Sequence, residues 1–164
     1  MTTDGIKEPL LLTIAVLGGT GKEGKGLAYR WAKAGYKVLI GSRSEERAVT
    51  AASEIMELAE GSTSIVGTSN HEAAQLADIV VLTVPFAAHR ETLESVKDVL
   101  KGKTLIDVTV PLVPPKVTKV QMPSAGSAAQ EAKEIVGEGV EVVAAFHSIS
   151  HEHLLKDDYV ESEV

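Results

Sequence analysis

A glycine-rich loop offers the clearest chemistry in this sequence. Residues 17–26 read LGGTGKEGKG, and Gly19, Gly21 and Gly24 have the spacing G-x-G-x-x-G. The loop follows an apolar run and precedes a helical pattern, which is the setting in which this motif holds the pyrophosphate of a dinucleotide. Gly19 would permit the tight turn, Gly21 would let the pyrophosphate approach the backbone, and Gly24 would let helix and strand pack closely. A bare structural turn is the alternative, because glycines are common at turns.

The residues after the second apolar run indicate which dinucleotide would fit. Residues 40–47 read IGSRSEER, so Ser42 and Arg43 stand where NAD-specific sites usually carry an acid that accepts from the ribose 2′-hydroxyl. Arg43 can pair with a 2′-phosphate through two charge-assisted hydrogen bonds, and Ser42 can donate a third. This pattern favours NADP. The competing interpretation is a capping box of Ser42 and Glu45 beside a solvated Arg43, and the two roles can coexist.

The elements that would position these residues alternate along the chain. Short apolar runs are separated by segments of helical periodicity, which predicts a parallel sheet. The predicted strands are 10–17, 36–40, 63–67, 78–84 at the sheet centre, 103–110 and 140–146; the predicted helices follow the glycine loop as far as Gly35, then cover 44–59, 70–77 with Asn70 as N-cap, a segment marked by Leu93, Val96 and Leu100, and 130–136. Residues 111–123 are expected to form an ordered loop. We therefore expect residues 1–164 to form one Rossmann-type α/β domain, a doubly wound and mainly parallel sheet with helices on both faces.

Polar or unusual residues collect at the ends of five predicted strands. They are the glycine loop, Ser42–Arg43, Thr83–Phe86, Asp107–Pro111 and Phe146–Ser148. In an open parallel sheet, ligands bind beyond the carboxyl ends of the strands, where the strand order reverses. We expect the first and fourth strands to flank that crevice, with the residues Thr83 to Phe86 against the ribose and the nicotinamide.

No pattern for acid–base or nucleophilic catalysis stands out, since the chain has no cysteine and no G-x-S-x-G motif. Hydride transfer does not require a general acid when the acceptor is itself a redox cofactor. His147, His151 and His153 raise the question of a metal, but their spacing suits one poorly and none is predicted. We expect His147 to line the crevice, His151 and His153 to be exposed, and His71 and His89 to be solvated at helix starts.

Charge and composition exclude several classes of partner. The chain has 23 acidic and 16 basic residues, a net charge of -7, and no dense run of Lys and Arg, so nucleic acid is not an expected partner. No apolar segment reaches membrane-spanning length, so no membrane partner is expected. The first residues lack the order of a signal peptide, and the absence of cysteine agrees with a reducing compartment. We therefore expect a cytoplasmic protein.

Four segments of the chain resemble the NADPH:F420 oxidoreductases, the deazaflavin-dependent NADP reductases. They are residues 17–48, residues 78–86 (DIVVLTVPF), residues 111–114 (PLVP) and residues 146–150 (FHSIS). The resemblance implies reversible hydride transfer between NADP(H) and the deazaflavin of coenzyme F420, with the two rings stacked, and a homodimer. Members of that family continue into a small C-terminal portion, which is absent from this chain. Either the chain is a fragment or the protein uses only the cofactor-binding part.

The glycine motif, the strand ends and the resemblance together give the expected site residues. Those expected to bind cofactor are Gly19, Thr20, Gly21, Lys22, Glu23, Gly24, Ser42, Arg43, Arg47, Thr83, Val84, Pro85 and Pro111; those expected to bind the F420 substrate are His147, Ser148 and Ile149. Thr20, Ser42 and Arg43 would hold the 2′-phosphate, and Pro85 would support the nicotinamide. Pro111, His147 and Ile149 would lie near the deazaflavin. The resemblance assigns no residue to acid–base catalysis.

Two other functions remain open at this point. The same glycine loop and Ser–Arg pair would serve a related NADP reductase that acts on an imine or a metal chelate. The lack of an assignable acid or base would also suit a non-catalytic module that senses NADP. Transfer of hydride to F420, to such an acceptor or to none distinguishes the three.

Overall fold

The computed structural model describes residues 11–60, 64–112 and 122–157. The strands of this part are β1 (Thr13–Leu17), β2 (Lys37–Ser42), β3 (Ile65–Ser69), β4 (Ile79–Leu82), β5 (Thr104–Asp107) and β6 (Glu141–Ala144). The helices are α1 (Lys22–Lys33), α2 (Glu45–Leu58), α3 (Asn70–Leu76), α4 (Phe86–Val96), α5 (Ala128–Val136) and α6 (His151–Leu154), with a 3₁₀ turn at Lys97–Val99. The predicted loop at 111–123 lies largely outside the described residues.

All strand pairs are parallel, and the strand order is β3-β2-β1-β4-β5-β6. This is the order of the Rossmann fold, so the predicted fold class is confirmed. The order reverses between β1 and β4, where Leu17 is in register with Gly41 on one side and with Leu82 on the other. The carboxyl ends of β1 and β4 therefore open the crevice that the sequence predicts.

The central strand β1 is buried on both faces by helices. Ala15 and Leu17 belong to a cluster that includes Ala73 of α3 and Leu93 of α4. Val16, which points to the opposite face, packs in a second cluster with α1 and α2 residues. Alternate strand residues face opposite sides of a sheet, which explains why the strand reads as an unbroken apolar run.

Two helix starts differ from the prediction by the residue that caps them. The Ser44 hydroxyl oxygen caps α2 by accepting from the Arg47 N–H at 3.4 Å, while Ser42 is the last residue of β2. The capping box of Ser42 and Glu45 is therefore wrong. Ser69, rather than Asn70, caps α3 by accepting from the Glu72 N–H at 3.2 Å. In both cases a neighbouring serine has the extended backbone that an N-cap requires.

The strands are shorter at their carboxyl ends than the apolar runs predict. β4 ends at Leu82, β5 at Asp107 and β6 at Ala144. The residues that follow β4 and β5 leave the ladder and form walls of the crevice, which is why their apolar character does not mark strand. The helix α6 was not predicted, and the segment after the sixth strand was expected to be neither helix nor strand.

Candidate cofactor-binding site

A cavity of about 860 Å³ lies at the carboxyl edge of the sheet. Its lining comes from the carboxyl ends of five strands, β1 to β5, or the segments that follow them, and from the first residue of α6: Gly18, Thr20, Gly21, Lys22, Glu23, Ser42, Arg43, Ser44, Arg47, Asn70, Thr83, Val84, Pro85, Phe86, Ala87, Ala88, Thr92, Val108, Thr109, Val110, Leu112 and His151. Ligand pockets commonly measure about 300–1,000 Å³. The cavity is large enough for an extended dinucleotide or a part of one together with a second ring.

The tight turn of the glycine loop falls on Gly18 rather than on Gly19. Gly18 has a φ of +70°, and a Cβ there would lie 2.5 Å from Val84 Cγ1. Gly19 has an ordinary φ, and its constraint is space, because a Cβ there would lie 2.8 Å from the Val16 carbonyl oxygen. The role assigned to Gly19 from the motif is therefore corrected. The motif alone gave Gly18 no role, but both glycines are needed for the loop to follow β1 so closely.

Gly21 and Gly24 differ in what surrounds them. A Cβ on Gly21 would meet only the Gly18 carbonyl oxygen, at 3.7 Å, so the cavity side of Gly21 is open to a ligand. A Cβ on Gly24 would lie 2.7 Å from Thr83 Oγ1 and 2.8 Å from Gly19 Cα. Gly24 therefore has the packing role that the motif predicts, since it lets α1 sit against the loop and the end of β4.

The start of α1 faces the cavity through Lys22 and Glu23. Gly21 is the N-cap and has no side chain to cap the helix, so the first amides of α1 lack intrahelical acceptors. These N–H groups and the positive end of the helix dipole suit a pyrophosphate. Glu23 is half-buried in this region, and burial raises the pKa of its carboxyl above 4.5. The loop thus combines an anion-binding helix start with a carboxyl that is held partly out of water.

The raised pKa of Glu23 leads to a prediction on stability. The protonated carboxyl of Glu23 makes its full contribution to the free energy of unfolding below about pH 4.5. This contribution is lost as pH rises through the folded-state pKa. Glutamine does not ionise, so Glu23→Gln should match the wild type at low pH and be the more stable protein at neutral pH. Thermal unfolding from about pH 4 to pH 8 measures this difference. A difference in stability between Glu23→Gln and the wild type that does not change with pH would contradict this prediction. So would an equal gain in stability at neutral pH from Glu57→Gln, on the exposed face of α2.

The end of β2 places polar and cationic groups at one end of the cavity. Ser42 is buried, and its Oγ accepts from the Ser44 N–H at 3.2 Å, which leaves the hydroxyl proton able to donate elsewhere. Arg43 and Arg47 are exposed and line the cavity. Thr20 and Arg47 also line a smaller adjoining depression of about 380 Å³. This group can hold a phosphate by charge-assisted hydrogen bonds.

Asn70 is a lining residue that the sequence analysis missed. Its Oδ1 accepts from the Gly18 N–H at 3.3 Å, and a Cβ on Gly41 would lie 2.8 Å from the same oxygen. Asn70 thus ties the start of α3 to the glycine loop and fills the space above the end of β2. The sequence offered a polar residue at the right strand end, but its assignment as an N-cap concealed this contact.

The segments after β4 and β5 form the opposite end of the cavity. The Thr83 N–H and hydroxyl both donate to the Leu17 carbonyl oxygen, at 3.0 Å and 2.9 Å. The Thr109 hydroxyl donates to the Val84 carbonyl oxygen at 3.3 Å. The lining here is mostly apolar and includes Pro85 and Phe86. These features suit a flat ring held against a rigid wall.

The prediction for His89 is wrong. His89 is buried, and its Nε2 lies 2.7 Å from Asp107 Oδ2. The prediction placed it at the start of a helix, but α4 begins at Phe86, so His89 lies on the buried face one turn into the helix. His71 is exposed beside Asp98, with 2.9 Å between Nε2 and Oδ2, as expected of a solvated histidine.

The residues predicted for the deazaflavin lie outside the cavity lining. His147 and Ser148 are exposed, and Ile149 packs against the cluster that contains Leu154. The prediction that His147 lines the crevice is therefore not met in this structure. His151, which was expected to be exposed, is half-buried and lines the cavity. Pro111 is buried beside the lining residue Leu112.

His151 reaches the cavity because α6 packs on α1. A Cβ on Gly26 would lie 2.5 Å from Leu154 Cβ, so Gly26 provides the room for this contact. Arg30 donates from Nε to the Leu154 carbonyl oxygen at 2.7 Å and from Nη2 to the His153 carbonyl oxygen at 2.9 Å. Asp157 accepts from the Tyr29 hydroxyl at 3.0 Å. These contacts hold the end of α6 and the residues after it against α1, and the first residue of α6, His151, lies at the cavity mouth.

In residues 11–60, 64–112 and 122–157, no group of three or more His, Cys, Asp or Glu side chains is arranged to hold a metal ion. Within the same part of the chain, no helix is long and apolar enough to span a membrane.

Comparison with known proteins supports the resemblance noted from the sequence. Residues 13–111 match the family of coenzyme F420-dependent NADP oxidoreductases. An F420-dependent NADP reductase of Methanothermobacter marburgensis is 45% identical over 149 residues, which are 88% of this chain and 66% of the relative. One of Methanocaldococcus jannaschii is 37% identical over 146 residues, which are 85% of this chain and 65% of the relative. The chain thus spans just under two thirds of the length of these relatives.

A solved structure gives the same picture of the fold. A crystal structure from Arthrobacter sp. FB24, of a protein provisionally named F420-dependent NADP reductase, superposes with a TM-score of 0.72 at 22% identity, over 87% of this chain and 65% of the other. A pyrroline carboxylate reductase of Plasmodium falciparum with NADP bound gives 0.57 at 20% identity, over 88% and 44%. Identities this low show the fold alone. On the family match and the sequence relatives, the chain belongs to the coenzyme F420-dependent NADP oxidoreductase family.

Proposed function

We propose that this chain is the NADP-binding part of an oxidoreductase that transfers a hydride between NADP(H) and the deazaflavin of coenzyme F420. The observation that carries the proposal is the cavity at the β1–β4 switch point. It combines an open glycine loop with a Ser42–Arg43 pair in the place of the acid that NAD sites use. The sequence relatives are F420-dependent NADP reductases, which is the basis for proposing F420 as the second reactant.

The adenosine end of NADP(H) would lie beside the end of β2. Arg43 and Arg47 would pair with the 2′-phosphate, and Ser42 would donate its hydroxyl proton to it. The amides at the start of α1 would hold the pyrophosphate over Gly21, where the backbone is open. These residues bind and orient, and none of them takes part in the chemical step.

The ring end would lie between the segments that follow β4 and β5. When both cofactors are bound, NADPH supplies a hydride to the deazaflavin, which also takes one proton from water, and NADP⁺ is released. Val84 and Pro85 would support the nicotinamide and keep water from the reacting face. Alignment of donor and acceptor is then the main contribution of the protein, which agrees with the lack of an assigned acid or base.

Contacts with the deazaflavin are the less defined part of the proposal. Pro111, His147, Ser148 and Ile149 are proposed from the resemblance, and none of them lines the cavity. His151 does line it, at the mouth, and is a candidate for the same role. A homodimer is proposed on the same resemblance, and a cytoplasmic location on the absence of cysteine.

The test mixes NADPH and F420 with a protein as long as the sequence relatives and measures the loss of F420 absorbance. We expect bleaching with NADPH and much less with NADH. Turnover of an imine or a metal chelate without F420 bleaching would favour the related reductase instead. Tight NADPH binding with no hydride transfer to any of these acceptors would favour a sensing module. Either of the last two results rejects the proposal.

A further inference from the structure

A buried pair of ionisable side chains lies beside the cavity. His89 Nε2 is 2.7 Å from Asp107 Oδ2, and each side chain is 1% exposed. The second oxygen of the carboxylate, Asp107 Oδ1, accepts from the backbone N–H of Thr109 at 2.9 Å. His89 Nδ1 is buried and has no hydrogen-bond partner among the described residues. Burying such a pair costs free energy that two apolar side chains would not cost, so stability alone does not account for it.

His89 and Asp107 lie directly behind two walls of the cavity. One wall is formed by α4 and the other by the segment after β5. His89 is on α4, between the lining residues Ala88 and Thr92, and its ring packs on Phe86 with 5.6 Å between the ring centroids. Asp107 ends β5, and the next residues of the chain, among them Thr109, line the cavity. The hydrogen bond between His89 and Asp107 therefore joins α4 to the segment after β5 at the level of the wall.

Further hydrogen bonds extend this connection across the switch point. Thr109, which Asp107 holds by its N–H, donates its hydroxyl to the Val84 carbonyl oxygen at 3.3 Å. The adjacent residue Thr83 donates twice to the Leu17 carbonyl oxygen. The ends of β1, β4 and β5 and the first turn of α4 are thus linked in one network. The walls of the ring end are fixed with respect to one another by this network.

We propose that His89 and Asp107 are positioning residues that set the wall against which the nicotinamide ring lies. The inference rests on the proposed function in assigning this end of the cavity to the ring. Neither side chain contacts the reacting atoms, since both are buried behind the wall. They act through Val84, Phe86 and Thr109, and loss of the pair lets these three groups move. The adenosine end, which Ser42 and Arg43 form, is independent of the pair.

The experiment compares two ligands. NADPH has the nicotinamide ring, whereas 2′-phospho-ADP-ribose has the adenosine, the 2′-phosphate and the pyrophosphate without the ring. Titration calorimetry gives both affinities for the wild type, His89→Leu and Asp107→Asn. We expect each variant to lose about tenfold in NADPH affinity and less than about twofold in 2′-phospho-ADP-ribose affinity. Hydride transfer to F420 at saturating NADPH should fall by at least the same factor.

Three further variants separate positioning from general stability. His89→Gln retains an N–H donor for Asp107 and should recover much of the NADPH affinity. Leu93→Ala, fully buried one turn further along the same helix, lowers stability while both side chains of the pair stay in place, and it should affect both ligands equally little. His71→Gln alters the exposed histidine–aspartate pair with Asp98 and should change neither affinity.

Equal losses for both ligands, or a ring-specific loss in Leu93→Ala, would overturn the positioning role. The same holds if His89→Leu and Asp107→Asn bind and react like the wild type. A wild-type protein that binds NADPH more tightly than 2′-phospho-ADP-ribose but never reduces F420 would reject the proposed function and leave the two-ligand comparison intact as the test of the pair.

Discussion

Replacing Arg43 with glutamate is expected to weaken NADPH binding by about 100-fold, or about 2.8 kcal/mol, and to leave NADH binding nearly unchanged. The guanidinium lies at the cavity end where the 2′-phosphate would sit, beside Ser42 and Arg47. The substitution removes charge-assisted hydrogen bonds and adds a carboxylate that repels the phosphate. NADH has a hydroxyl at that position, from which a carboxylate can accept. Calorimetric titration of both nucleotides measures the change in preference.

The control for Arg43→Glu is Lys37→Glu. Lys37 is exposed at the amino end of β2, whereas Arg43 directly follows the carboxyl end of the same strand. Both substitutions change the net charge by the same amount, but only Arg43 lines the cavity. We expect Lys37→Glu to alter neither affinity by more than about twofold, since surface charges at that distance are screened by salt. An unchanged NADPH preference in Arg43→Glu would refute the phosphate assignment.

Replacing Gly18 with alanine is expected to affect both stability and binding. The left-handed backbone of Gly18, at a φ of +70°, costs an alanine about 1–2 kcal/mol. The added Cβ would also lie 2.5 Å from Val84 Cγ1, so the loop and the segment after β4 must separate. That movement displaces the glycine loop from the cavity, and we expect NADPH affinity to fall by more than about tenfold. Denaturant unfolding and NADPH titration measure the two effects.

Gly102→Ala provides the matched control. Gly102 has a φ of +80°, yet no atom lies within 4 Å of a Cβ built there. The backbone cost is therefore shared, but the steric clash and the link to the cavity are not. We expect Gly102→Ala to lose a similar amount of stability and to bind NADPH as the wild type does. If Gly18→Ala also keeps its NADPH affinity, the loop does not need this turn to hold its ligand.

The fold was predictable because its signals are local. A strand buried on both faces reads as an apolar run, and a helix with one buried face reads as a periodic pattern. The glycine loop follows the same logic, since each close approach in it requires a missing side chain. The position of β1 beside β4 followed from the doubly wound fold class, in which the strand order reverses between the two halves of the sheet. The cavity at the β1–β4 switch point follows from that order.

What the sequence could not show depends on contacts between distant segments. His89 and Asp107 are 18 positions apart, and only the packing of α4 on β5 brings them together. Asn70 touches Gly18 from 52 positions away. The helix α6 has only four residues, too few for a helical pattern to be recognised. The place of His151 at the cavity mouth was hidden for the same reason. The roles of the individual site residues, including those near the deazaflavin, stay predictions.

The packing of α6 on α1 makes one end of the cavity depend on residues remote from it. A four-residue helix does not persist by itself in water, so α6 depends on the side chains that anchor its single turn and the residues after it. Arg30 and Tyr29 provide that anchor from the middle of α1, and Lys33 adds an ion pair with Asp157 at 2.7 Å. The position of His151 at the cavity mouth therefore depends on the contact between Leu154 of α6 and Gly26 of α1. Substitutions in this contact can therefore change access to the cavity without altering any residue that lines it.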